Sequence, residues 1–217
     1  KKVYIPDRTI QPHKNFFRGM SPVTTVHPVE RSLAEQYFQW ADTPEEADLA
    51  IVFIESPITD GGYSGEEAAA GGNGYLPITL QYRPYQANTA RQPSIAGGDF
   101  REDFTDRSYR GKTGTVCLRM HKPSVLSKLE PAADAILIDF GVQKQVLLDL
   151  ICGKAEPSAL LPVELPASME TVEAHCEDKP FDYEVYVDSE GHAYGYAYGL
   201  NWQGVIEDER THLYPKH

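Results

Sequence analysis

The sequence predicts an α/β domain built on a mostly parallel sheet, and three observations carry that prediction. Three apolar runs, LAIVFI from Leu49, TVCLRM from Thr115 and DAILIDF from Asp134, are rich in β-branched residues and read as sheet interior, the first as a strand buried on both faces. Helical periodicity falls between and after these runs. Its strongest instance is a helix over 142–152 whose face is Val142, Val146, Leu147, Leu150 and Ile151, with Gly153 as its stop. Strand, helix, strand, helix in that order is the connectivity of an α/β sheet.

Taken in chain order, the opening stretch KKVYIPDRTIQPHKNFFRGMSPVTTVHPVE carries Pro6, Pro12, Pro22 and Pro28, a spacing no helix accommodates. It reads as a linker over a surface, with a short strand near Val23–Val26. In VERSLAEQYFQWAD the recurrence of Leu33, Tyr37 and Trp40 predicts an amphipathic helix that ends before Thr43 and Pro44. The strand from Leu49 follows and stops on Glu55, Ser56 and Pro57. KPSVLSKLEP predicts a short helix with Val125, Leu126 and Leu129 on one side. SALLPVELP reads as an edge strand, because Pro162 and Pro166 cannot serve an interior ladder.

The stretch from Ser56 to Thr113 has many Gly, Pro, Tyr and charged residues and no strong periodicity. Structureless connections beyond about 12–15 residues are uncommon in compact domains unless they are functional or disordered. No crossover helix precedes Thr115, so either a long loop makes the crossing or residues are absent from the sequence near Thr113.

The chain has 217 residues, a formal net charge of −12 and a pI near 5.0. That balance argues against an electrostatic grip on nucleic acid or anionic lipid, both of which reward clustered Lys and Arg. No apolar stretch approaches the roughly 20 residues of a membrane-spanning helix. The chain opens on Lys1 rather than Met, which leaves open a removed signal peptide, a preceding domain or an artificial boundary. Cys117, Cys152 and Cys176 lie far apart with no C-x-x-C spacing, so neither a zinc site nor a disulfide framework is indicated. His13, His27, His121, His175, His192, His212 and His217 show no ligand spacing, and no metal or cofactor is expected. IDFG lacks the lysine strand and catalytic loop of a kinase, GGNG at Gly71 opens no helix pattern, and no G-x-S-x-G elbow is present.

A carboxylate at the carboxyl end of a buried parallel strand is where ligands gather in open α/β sheets, so Glu55 is the first candidate for chemistry. Behind it the loop interleaves Tyr63, Tyr75, Tyr82 and Tyr85 with Asp60, Glu66, Glu67, Asn73, Gln81 and Arg83. Those side chains suit stacking on sugar faces and bonding to hydroxyls, and they equally suit a polar surface loop with tyrosines packed beneath it. A lone carboxylate is not enough for glycoside hydrolysis, which generally uses two.

ADAILIDFGVQKQVLLDLICGKAEPSALLPVELP resembles the stretch of glycoside hydrolase family 3 β-glucosidases in which a strand and helix lead into a G-x-x-x-P-S-G-x-L-P signature. Pro157, Ser158, Leu161 and Pro162 match it, and Ala159 stands where the family has glycine. GHAYGYAYGLNW is similar to the family's closing Y-G-L-S-Y, EEADLAIVFIES to its A-D-x-x-I-V-V-V-G-E strand, and KKVYIP to its linker. The resemblance implies a flavodoxin-like three-layer α/β sandwich at 29–204, preceded by a linker at 1–28 and followed by a tail at 205–217. It also implies a preceding (β/α)8 barrel that carries the nucleophilic aspartate, a β-linked oligosaccharide or glycoside as substrate, and a periplasmic or extracellular location. In the family the general acid/base is a glutamate of this domain, which makes Glu55 the candidate and Glu66 or Glu67 the alternatives if the loop folds back. Asp60, Tyr63 and Arg83 are the implied substrate-binding residues. A non-catalytic sugar-binding or interaction module of the same fold is the competing expectation.

Overall fold

Five parallel strands make the sheet in a computed structural model that describes residues 1–12, 14–15, 19–59, 62–94, 96–97, 113–176, 178–179, 181–182 and 184–213. They are β1 (Lys2–Tyr4), β2 (Gln39–Trp40), β3 (Leu49–Glu55), β4 (Thr113–Arg119) and β5 (Ala135–Asp139). Their spatial order is β5-β4-β3-β1-β2, and every pairing is parallel. This is the flavodoxin-like order, in which the chain reverses its direction of travel between β1 and β3.

The period-2 alternation of each strand divides the core in two. Ile51, Phe53 and Cys117 face one side with Val3 and Ile5, where Leu147 and Leu148 of α3 (Lys144–Ile151) and Ala34 of α1 (Arg31–Ala34) cover them. Val52, Ile54, Val116 and Leu118 face the other, against Leu126, Leu129, Leu165 and Tyr186. The layers are therefore unequal: helices cover one face, and turns and extended segments cover the other. Two further short helices, α2 (Gly65–Ala69) and α4 (Met169–Ala174), each open on a serine whose hydroxyl accepts the N–H three residues on; numbered in chain order, α2 precedes α3.

Several expectations need correction. The opening segment is no linker at its start, because β1 is hydrogen-bonded between β2 and β3 with Val3 buried in the core. Only the short strand near Val26 matches, as Thr24–Val26 paired antiparallel with Arg8–Ile10. The helix expected through Trp40 ends at Ala34, since Trp40 is drawn into β2 and Tyr37 turns its hydroxyl to Asp149 of α3 at 2.8 Å. Val125, Leu126 and Leu129 are buried as their spacing suggested, but in turns that follow Pro123 rather than in a helix. On α3 the inward residues are Leu147 and Leu148, while Val142 and Val146 are exposed; Gly153 ends the helix at φ +70°.

SALLPVELP forms no strand. It lies extended against the second face, exchanging backbone bonds with the closing aromatic segment: the Leu161 N–H donates to the Tyr198 carbonyl at 2.7 Å and the Ala197 N–H to the Leu161 carbonyl at 2.9 Å. The two signature stretches meet there so closely that a Cβ on Gly199 would stand 2.4 Å from the Ala159 carbonyl oxygen. The segment read as a tail packs back as well, with Ile206 buried and Arg210 donating to the Ser158 carbonyl at 2.8 Å. The proposed gap or long loop before Thr113 falls on 98–112, outside the described residues.

Candidate functional site

The register of the sheet sets three charged residues side by side at its carboxyl edge, since Arg119 of β4 is opposite both Glu55 of β3 and Asp139 of β5. In-register neighbours project to the same face, here the one that α3 covers. Arg8, just past the end of β1, closes the row from the other side: its Nη1 donates to Glu55 Oε1 at 3.0 Å. Glu55 and Arg8 thus meet at the β1/β3 switch point, the position at which open α/β sheets bind ligands.

The next residues of β3 and β4 lock the two loop starts together. Ser56 is buried; its N–H donates to the Arg119 carbonyl at 2.9 Å, and its hydroxyl donates to the Lys122 carbonyl at 2.9 Å while accepting the His121 N–H at 3.1 Å. This fixes the main chain of His121, whose Nε2 stands 3.8 Å from Glu55 Oε2. Lys122 donates through Nζ to Thr59 Oγ1 at 3.1 Å, and burial holds its pKa below the ordinary lysine value. Tyr82 returns from the loop to donate its hydroxyl to the Glu55 carbonyl at 2.6 Å.

Opposing influences set the pKa of Glu55 in this chain. Burial pushes it up, but the hydrogen bond and charge of Arg8, with His121 and Arg119 behind it, outweigh burial and leave it below the ordinary carboxylate value. In this chain alone Glu55 is an ionised carboxylate, with one oxygen tied to a guanidinium and the other facing an imidazole. Such a group can accept a proton or orient a neighbouring acid; donating a proton requires a further change in its surroundings.

The other predicted residues separate. Glu67 is fully buried on α2, where its carboxylate accepts the Arg91 N–H on both oxygens at 2.9 Å and the Gln92 N–H at 2.6 Å. It braces the loop in which it sits. Glu66 is exposed on the same helix, and Arg83 is exposed beside Tyr82. Tyr63 pairs edge to face with Tyr75 across a short antiparallel ladder, ring centroids 6.2 Å apart, and both rings are largely solvent-facing. Asp60 lies outside the described residues.

Sequence reasoning gave no part in this site to Arg8, Arg119, His121 and Lys122. The last three follow the apolar run of β4 as Glu55 follows that of β3, so the strand-end argument could have found them.

No family model matches the chain. Among curated proteins it is 31% identical over 156 residues to a "Probable beta-glucosidase C" of Aspergillus flavus, a match that covers 72% of this chain and 21% of that one. It is 38% identical over 131 residues to the "Beta-glucosidase C" of Emericella nidulans, covering 57% of this chain and 20% of the other. A "Periplasmic beta-glucosidase/beta-xylosidase" of Dickeya chrysanthemi is 24% identical over 161 residues, covering 72% and 22% respectively. The chain spans about a fifth of the length of the curated relatives that it matches.

Proposed function

The chain belongs with the β-glucosidases that it matches, in glycoside hydrolase family 3, and from that premise we propose that it is the C-terminal domain of a retaining, exo-acting β-glycosidase. It supplies the proton-transfer group and part of the sugar-binding wall, while a preceding (β/α)8 barrel supplies the nucleophilic aspartate. By itself the domain is inert in hydrolysis.

What supports this reading most is the placement of Glu55 at the switch point of the sheet, with the Arg8 guanidinium on one carboxylate oxygen and His121 3.8 Å from the other, and an exposed Tyr63–Tyr75 pair on the loop that follows. In the first half-reaction the barrel carboxylate attacks the anomeric carbon while the leaving oxygen takes a proton from the Glu55 side. In the second, the same group takes a proton from the water that releases the sugar. Closure of the rest of the enzyme over this edge adds burial, which acts on Glu55 in the direction needed for it to hold a proton. Tyr63, Arg83 and Asp60 are proposed to contact the sugar.

A specific observation favours a second reading. The Arg8–Glu55 pair that keeps Glu55 ionised would serve equally as a structural tie in a binding module that has no chemistry. The two are separated by Glu55→Gln in the full-length protein, assayed on aryl β-glucosides with good and poor leaving groups. A catalytic Glu55 loses roughly 10²–10⁴-fold on the poor leaving group, the usual contribution of a positioned acid, and azide restores turnover on the good one. An unchanged profile in an active enzyme rejects a catalytic Glu55.

A further inference from the structure

We propose that Lys122 and Thr59 form an anion subsite beside Glu55, one that takes a carboxylate carried by the leaving group of the glycoside. This rests on the reading of the edge as the leaving-group side of a glycosidase site, and it names the class of substrate that the site prefers.

Lys122 differs from the other basic groups of the edge in having no counter-ion. The Arg8 guanidinium is bonded to Glu55, and Arg119 stands in register between Glu55 and Asp139. The Lys122 ammonium donates to the Thr59 hydroxyl at 3.1 Å, and no carboxylate among the described residues lies within ion-pair distance of it. Burial lowers its pKa, and no neighbouring anion acts against that. The chain holds 32 Asp and Glu residues, ample to pair with a cation, yet the fold brings none of the described ones to this one.

The fold does not need a charge there. Holding an ammonium partly out of water without an anion costs stability. The loop starts that carry Lys122 and Thr59 are already joined by Ser56, which donates to the Arg119 and Lys122 carbonyls and accepts the His121 N–H, with the Ser124 hydroxyl 3.3 Å from its own. Thr59 is held as well, paired in antiparallel register with Ala96. Both side chains therefore project from fixed main chain, so a ligand that meets them pays little to order them.

The donors suit a carboxylate. An ammonium has three N–H bonds, and Thr59 takes one; the Thr59 hydroxyl, having accepted from Lys122, keeps its own O–H to give. One positive charge with N–H and O–H donors side by side matches the single charge and two oxygens of a carboxylate. A phosphate monoester, at about −1.5 to −2, exceeds what one ammonium neutralises. Lys122 shares the Ser56 junction with the residue after Glu55, and Thr59 lies four residues beyond Glu55. A substrate with its glycosidic oxygen at Glu55 thus extends its leaving group along the Ser56–Thr59 segment and past Lys122.

The test assays the full-length protein on 4-carboxyphenyl β-glucoside and its neutral counterpart, 4-carbamoylphenyl β-glucoside. Wild type is compared with Lys122→Met and Lys122→Arg, with Lys122→Gln as a second removal of the charge and thermal melting as the folding control. The readout is the ratio of kcat/KM for the two glycosides, which a merely structural role of Lys122 would not move because both substrates meet the same loop. Wild type should favour the carboxylate about tenfold, the change expected of one charge-assisted hydrogen bond. Lys122→Met and Lys122→Gln should bring the ratio to one or below, and Lys122→Arg, which keeps the charge, should retain most of it. Calorimetric binding of 4-hydroxybenzoate to the same proteins gives a readout independent of hydrolysis. In an active enzyme, a wild-type ratio near one, or a preference that survives removal of the charge, refutes the anion subsite and leaves the proposed function standing. A protein that hydrolyses neither glycoside but binds 4-hydroxybenzoate through Lys122 refutes the proposed function and leaves the subsite standing. One that does neither refutes both.

Discussion

The Arg8–Glu55 pair makes a prediction that needs no substrate. Replacing Arg8 with Met keeps the length of the side chain and removes the charge, which leaves a carboxylate that is mostly shielded from water without its cation. At 3.0 Å and an effective dielectric constant of ~20, the Coulomb attraction alone is about 5–6 kcal/mol. Desolvation of both groups takes back a large part of that, and hydrogen bonds to charged groups net about 1.5–3 kcal/mol. A double-mutant cycle of Arg8→Met and Glu55→Gln, read by urea denaturation at pH 7, should therefore give a coupling of about 1.5–3 kcal/mol. The sign with pH follows from the lowered pKa of Glu55: the stabilisation is present above the unfolded carboxylate value, near 4.5, and is lost as pH falls through the lower folded value. The same cycle at pH 3 should show a smaller coupling. A coupling under about 0.3 kcal/mol at pH 7, the limit of additivity for independent sites, would refute the claim that this pair sets the protonation of Glu55.

Three further outcomes are expected. Glu67→Leu strands the Arg91 and Gln92 N–H groups and should cost about 2–4 kcal/mol, seen as a lower urea midpoint, with no selective effect on poor leaving groups. Gly199→Ala drives a methyl against the Ala159 carbonyl and should cost about 1–3 kcal/mol, lowering the melting temperature by roughly 2–4 °C per kcal/mol in a chain of this size. Burial pushes the Cys117 thiol up to about 12, so at pH 8 a thiol reagent should modify exposed Cys176 rapidly and Cys117 only on unfolding, as mass mapping of the labelled peptides would report.

The long strands were legible because β3 and β4 lie inside the sheet and are buried almost throughout, and the half-buried edge strand β5 keeps the same nearly continuous apolar run. The other two sheet strands were not, for the opposite reason. β1 and β2 span three and two residues, too few for periodicity, and β1 runs into Pro6, which disguised a central strand as a linker. Leu33, Tyr37 and Trp40 have helical spacing, yet only Leu33 lies in α1, and contacts elsewhere hold the other two: Lys154 lies over the Tyr37 ring and Arg31 over that of Trp40. At the candidate site the position of Glu55 could be read from the strand-end rule alone. Its chemistry could not, because Arg8 and His121 reach it from distant segments through the switch in strand order and the Ser56 junction.

The central claim is that the Glu55–His121 edge of the sheet forms one wall of a glycosidase site completed by the rest of the protein. It is tested most directly by trapping the full-length enzyme with a 2-deoxy-2-fluoro-β-glucoside and determining the structure of the glycosyl-enzyme. The account predicts the sugar esterified to a barrel carboxylate, with Glu55 about 5–5.5 Å from that carboxylate, as retaining enzymes require, and facing the vacated leaving-group position. A trapped sugar that lies away from this edge, with another carboxylate at that separation, would contradict it.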